Sequence, residues 1–187
     1  MTSDPRPLVM DADVTIALLK SGTIGVLDSL TEFGFMVTEI VYDEVHHESE
    51  RTALDGAIAQ GVLAITELSD PAGLVVFGDL LRVVDEGEAS VIALASVISG
   101  DVAMHDRAGR REAAAYLSPD RVHRLEDIIV EAIRCNRITV SDANAAVDKL
   151  RKAGDYQPPF APHGFEITVS DSSFGINRAR GRTRGST

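Results

Sequence analysis

The residues in this chain best equipped for chemistry are carboxylates. Leu8-Val9-Met10 runs straight into Asp11, with Asp13 close behind. A short apolar run ending in an acid predicts a buried strand that delivers a carboxylate to the edge of a sheet. Val102-Ala103-Met104-His105-Asp106 repeats the pattern. In open α/β sheets ligands bind outside the carboxyl ends of the strands, so both acids belong to a ligand-binding edge. Between them, Glu44 and Glu88 begin or ride on helical stretches. Glu44 shares the apolar stripe of Ile40, Val41 and Val45, whereas Asp43 and His47 point away. An acid on an apolar face is costly unless it has a partner. Four acids so placed suit divalent-cation binding better than other common side-chain chemistry.

Each acid also has a plain structural role open to it. Asp is favoured at helix N-caps. Asp13 fits the cap of the first helix better than Asp11, which leaves Asp11 for chemistry, and Asp106 also precedes a helix. Asp85 with Glu88 three residues later matches the pattern of a capping box. His46 and His47 lack the one-turn spacing of a metal pair and are expected to face solvent, while the role of His105 stays open. No GxGxxG or GxxxxGK[ST] loop is present to cradle phosphates. Cys135 lies in a helical stretch near Ile133 and Ile138, with little to support a Cys/His nucleophile pair.

These acids need elements to position them. The apolar patterns predict strands over residues 8–13, 35–37, 62–65, 102–105 and 122–125. They predict helices over 14–20, 23–30, 38–50 (capped by Thr38), 53–60, 74–84, 88–99, 107–116, 126–135 and 141–153, the last capped by Ser141. Residues 165–169 are expected to add one short strand. Strands alternating with helices imply an α/β fold with a mainly parallel central sheet flanked by helices on both faces. Residues 1–153 form one domain in this reading. After Gly154 the composition shifts, with Pro158, Pro159 and Pro162, and residues 154–187 are expected to be a partly disordered extension. Arg178, Arg180, Arg182 and Arg184 make its end basic, either as a solvated flexible tail or as a phosphate-contacting arm.

Composition limits the setting. No apolar run approaches the ~18 residues of a membrane span. The first residues, MTSDPRP, hold no secretory signal pattern, and the single Cys135 allows no intrachain disulfide. A cytoplasmic location is therefore expected. The net charge of −11 argues against binding nucleic acid by bulk attraction. It leaves room for an enzyme that handles nucleic acid through metal ions.

Taken in order, the motifs resemble the PIN-domain nucleases over residues 8–153. LVMDADVTIALL is similar to the family's opening strand with its first catalytic Asp. VTEIVYDEV is similar to the second motif, whose metal-site acid falls at Glu44. VVDEGEASVIALA resembles a subgroup with Gly-Glu where most members have an Asp, and VAMHDRAGRREA resembles that subgroup's strand-Asp-x-x-x-Arg segment. IIVEAIRCNRITVSDANAAVDKL resembles its closing helical pair. His105 stands where the subgroup often has a second Asp, and the stretch after 154 lies outside the match. The resemblance implies a three-layer PIN-like fold. It also implies catalytic, metal-site roles for Asp11, Glu44, Glu88 and Asp106, with Asp13 and Arg110 in support. An oxygen-only donor set suits Mg²⁺ or Mn²⁺ rather than zinc. The family further implies cleavage of RNA, and in many members the toxin half of a toxin–antitoxin pair. The partners expected are thus an RNA substrate and a small antitoxin protein, with a homodimer left open.

Two rival readings remain. Asp11-Ala12-Asp13-Val14-Thr15 also resembles the DxDxT motif of haloacid-dehalogenase-type phosphatases, with Asp11 as nucleophile and Asp13 as acid/base. That chemistry wants a lysine ahead of a late acidic pair. The lysines are Lys20, Lys149 and Lys152, none between the middle strands and Asp106. The other rival is a catalytically silent PIN-like binding module, against which the presence of all four acids speaks.

Overall fold

Leu8, Val9 and Met10 are fully buried because their strand, β1 (Arg6–Met10), is the middle one of its sheet and is covered on both faces. The computed structural model describes residues 4–154, 164–171 and 173–176. Five parallel strands lie in the order β3-β2-β1-β4-β5: β1, β2 (Phe33–Thr38), β3 (Ala64–Thr66), β4 (Asp101–Ala103) and β5 (Val122–His123). After β1 the chain builds outward through β2 and β3, then returns to place β4 on the other side of β1. The sheet order thus reverses between β1 and β4, where Val9 pairs with Val102 and Met10 with Ala103. A crevice at the carboxyl ends of such a strand pair is the usual ligand site of an open parallel sheet. Helices cover both faces, as the alternating pattern requires.

The helices are α1 (Ala12–Ser21), α2 (Glu39–Glu44), α3 (Glu48–Ala59), α4 (Pro71–Leu80), α5 (Glu86–Val97), α6 (Arg107–Tyr116), α7 (Leu125–Arg134), α8 (Val140–Ala153) and the single turn α9 (Phe165–Thr168). Residues Ile24–Ser29 form a 3₁₀ helix where the pattern predicts an α-helix. Among the described residues no helix is long and apolar enough to cross a membrane.

Several boundaries differ from expectation for identifiable reasons. The helix expected over 38–50 ends at Glu44, because Val45 is drawn into the core and leaves helical geometry at φ −79°, ψ 88°. The Arg51 side chain donates to the Val45 carbonyl at 3.0 Å, satisfying a group the broken helix leaves open. A new helix, α3, begins at Glu48 and absorbs the one expected over 53–60. Helix α4 starts at Pro71, ahead of 74, since Asp70 accepts from Ala72 N at 2.8 Å and Gly73 N at 3.2 Å. Thr139, not Ser141, caps α8, its hydroxyl accepting from Asp142 N at 3.1 Å. Residues 165–169 do not form a strand. Phe165 is fully buried, and the Thr168 hydroxyl donates to Gly164 O at 2.7 Å in a helical turn that packs on α8.

The segment after α9 is fastened to α7. Arg134 donates to the carbonyls of Val169, Asp171 and Phe174, Asp127 accepts from Gly175 N at 2.9 Å, and the Arg124 guanidinium lies 4.6 Å above the Phe174 ring. Pro158, Pro159, Pro162 and the arginines 178, 180, 182 and 184 lie outside the described residues.

Candidate metal centre

Asp11 is the first residue past β1, and its backbone N–H still donates across the sheet to Ala103 O at 3.0 Å. Its extended conformation makes it the N-cap of α1. Oδ1 accepts from Val14 N at 2.7 Å, and Oδ2 accepts from His105 N at 2.9 Å. The cap is therefore Asp11 and not Asp13, because Ala12 is already helical; Asp13 is exposed in the first turn. Capping does not exhaust the Asp11 carboxylate, since each oxygen keeps lone-pair capacity beyond one backbone N–H. His105 serves through its backbone N–H, tying Asp11 to the end of β4.

Asp106 caps α6, with Oδ2 accepting from Ala108 N and from Gly109 N, the latter at 3.0 Å. Those N–H groups, Gly109's foremost, and the Arg110 charge hold its carboxyl below the usual range despite some desolvation. It is exposed and ionised. Arg110 reaches back to the carbonyls of Met104 and His105, so it braces the β4–α6 turn and adds positive charge beside Asp106. Asp11 and Asp106 thus stand at the carboxyl ends of adjacent strands, on the reversal of sheet order.

Glu44 closes α2 and Glu88 lies in the first turn of α5, both half-buried. Asp85 accepts from Glu88 N at 2.8 Å and so caps α5, while the Asp85 backbone in turn pulls the Glu88 carboxyl down against the effect of burial. Burial, then the Asp85 and Asp106 charges, raise Glu88 to about 7. Burial, then Asp85, Asp13 and Glu86, raise Glu44. Asp11 also rises to about 7, chiefly through burial; its two backbone N–H partners pull back, and Asp13 and Glu88 push further. Sequence reasoning missed Asp85 and Glu86 as members of this field, although the run Asp85-Glu86-Gly87-Glu88 was the signal. It also missed the Thr38–Ser90 hydroxyl pair, 2.7 Å apart, which ties the start of α2 to α5.

A second buried acid shows what the site lacks. Asp101, at the other end of β4, is contacted by Arg6 at 3.0 Å, Arg121 at 3.7 Å and His123 at 2.7 Å. Among the described residues none of Asp11, Glu44, Glu88 and Asp106 has an ion pair. Crowded carboxylates, of which Asp11, Glu44 and Glu88 have raised proton affinity and none is in an ion pair, fit a divalent cation, which such a field attracts. The donors are all oxygen, the chemistry of a hard ion. Among the described residues no three His, Cys, Asp or Glu groups yet converge on one point. The two glutamates have several rotatable bonds with which to close the set. A phosphatase reading fits less well: both oxygens of Asp11 face backbone N–H groups, and Lys20 lies 3.9 Å from Glu50, not beside Asp11.

A protein-family model described as DUF3368, a PIN domain, matches residues 7–161. No curated protein and no solved structure matches.

Proposed function

Because the chain belongs to the PIN-domain family, we propose that it is a divalent-metal-dependent ribonuclease with Asp11, Glu44, Glu88 and Asp106 as its acid set. The observation that carries this reading is the group of carboxylates without ion pairs at the carboxyl edge of the sheet, two of them raised to about 7. Asp11 and Asp106 would hold Mg²⁺ or Mn²⁺ directly, and Glu44 and Glu88 would complete the donor set, directly or through water. When bound, such an ion neutralises phosphate charge and makes a nucleophilic water available near neutral pH. Asp13 keeps the acid field strong from the exposed first turn of α1, and Arg110 fixes the turn that presents Asp106. In its cytoplasmic setting the chain acts as the toxin of a toxin–antitoxin pair, with a small protein partner that blocks the acid edge.

The test is cleavage of a labelled structured RNA with Mn²⁺, with EDTA, and by Asp106→Asn. Metal-dependent cutting that the variant loses is the expected result. Cutting that survives EDTA or the variant would sink the assignment. Millimolar Mn²⁺ should also raise the melting temperature, since an ion at a hundred times its Kd adds about 2.7 kcal/mol to the native state.

A further inference from the structure

The two glutamates of the acid set are seated on glycines of neighbouring helices. The Glu44 carboxyl lies against α5 at Gly87, where an added Cβ would stand 3.0 Å from the Glu44 Cδ and 3.1 Å from Oε2. Glu88, the next residue along α5, repeats this on α6: a Cβ at Gly109 would stand 2.7 Å from the Glu88 Cδ and 3.1 Å from Oε2. Each carboxyl fills the volume that a side chain on the next helix would occupy.

Both glycines lie inside helices, where glycine is less favourable than alanine, and neither has a positive φ. The three atoms nearest each added Cβ all belong to the glutamate, so the carboxyl is the first group that a side chain there would meet. Gly73 shows the contrast, since its Cβ would meet Leu68 and Val97. Gly56, inside α3, has nothing within 4 Å. The seat at Gly87 is held at the level of α2 by hydroxyls, because Ser90 donates to Gly87 O at 2.7 Å and also contacts the α2 cap, Thr38.

We propose that Gly87 and Gly109 are positioning residues of the metal centre, their missing side chains forming the seats that hold Glu44 and Glu88 in line with Asp11 and Asp106. This rests on the metal-dependent reading above. A methyl group at either seat displaces a flexible carboxyl and leaves the helix intact. Gly109→Ala also keeps the backbone N–H that Asp106 accepts, so it separates the seat from the cap.

The experiment compares Gly87→Ala and Gly109→Ala with Gly56→Ala as a matched control. Metal-free melting temperatures should equal or exceed that of the natural chain in all three. The Mn²⁺ concentration giving half-maximal stabilisation should rise on the order of tenfold in the two seat variants and stay unchanged in the control. Adding Glu44→Asp to Gly87→Ala shortens the acid by one methylene and should recover part of the loss. Without metal, the side-chain carboxyl ¹³C resonance of Glu44 should move in Gly87→Ala and that of Glu88 in Gly109→Ala. Unchanged Mn²⁺ midpoints together with unmoved resonances would overturn the seats. A natural chain with no Mn²⁺ response would instead overturn the metal reading, and the carboxyl resonances alone would then decide the seats.

Discussion

Asp11 and Asp101 are both nearly free of solvent, at 4% and 1% exposure, yet only Asp101 is matched by cations. The mismatch has a pH signature. The Asp11 carboxyl sits at about 7 in the folded chain against an ordinary 3.8. Between those values the unfolded chain has released its proton while the folded chain keeps it, so raising the pH destabilises the fold. Stability is complete below about pH 4 and is lost as pH climbs through about 7, with a ceiling on the order of a few kcal/mol. Without metal, the melting temperature should fall between pH 5 and pH 8, and Asp11→Asn should flatten that slope while abolishing cleavage. A variant that melts far lower at every pH would show Asp11 to be structural instead. Asp106→Asn should cost little stability, since Asn is also a good N-cap, but should remove cleavage; thermal melts beside the RNA assay check both. The acids at strand ends were legible because an apolar run stopping at Asp is a local pattern. The cap at Asp11 was not, because Asp11 and Asp13 both stand ahead of the apolar helical stretch and only the fold shows that Ala12 is already helical.

Elements carry the acids into register, and the hydroxyl pair Thr38–Ser90 is the joint between two of them. Thr38 caps α2 by accepting from Val41 N at 3.2 Å and meets Ser90 of α5. Thr38→Val removes both contacts and should cost about 1–2 kcal/mol, read as a lower denaturation midpoint. Thr38→Ser should keep most of that stability. If Val is tolerated without loss, the joint contributes nothing. The sheet and most helices were visible in the sequence because their signals, short apolar runs and a 3.6-residue period, are local. The break at Val45 was invisible because it depends on core burial and on Arg51, six residues on. The single-turn α9 was taken for a strand because four apolar-rich residues hold too short a pattern to separate the two periods.

For the whole molecule, the net charge of −11 opposes an RNA partner, while four arginines alternate from 178 to 184. The described chain before them ends at Ile176, beside Gly175, which is bonded to Asp127 in the first turn of α7. That turn follows β5, the strand next to β4, at the same edge of the sheet as Asp106. Replacing all four by alanine should weaken RNA binding and reduce the slope of log affinity against log salt by up to about 3, near 0.7 per lost phosphate contact on single strands. An unchanged slope in fluorescence anisotropy would rule out their use as phosphate contacts. The bond from His105 N to Asp11 has a consequence for synthesis as well. A ribosome releases Asp11, Asp13 and Glu44 first. At that stage β4 is still unmade, Asp11 lacks its anchor, and Asp106 does not exist. The acid edge therefore assembles only after the second half of the chain has folded back beside its first strand.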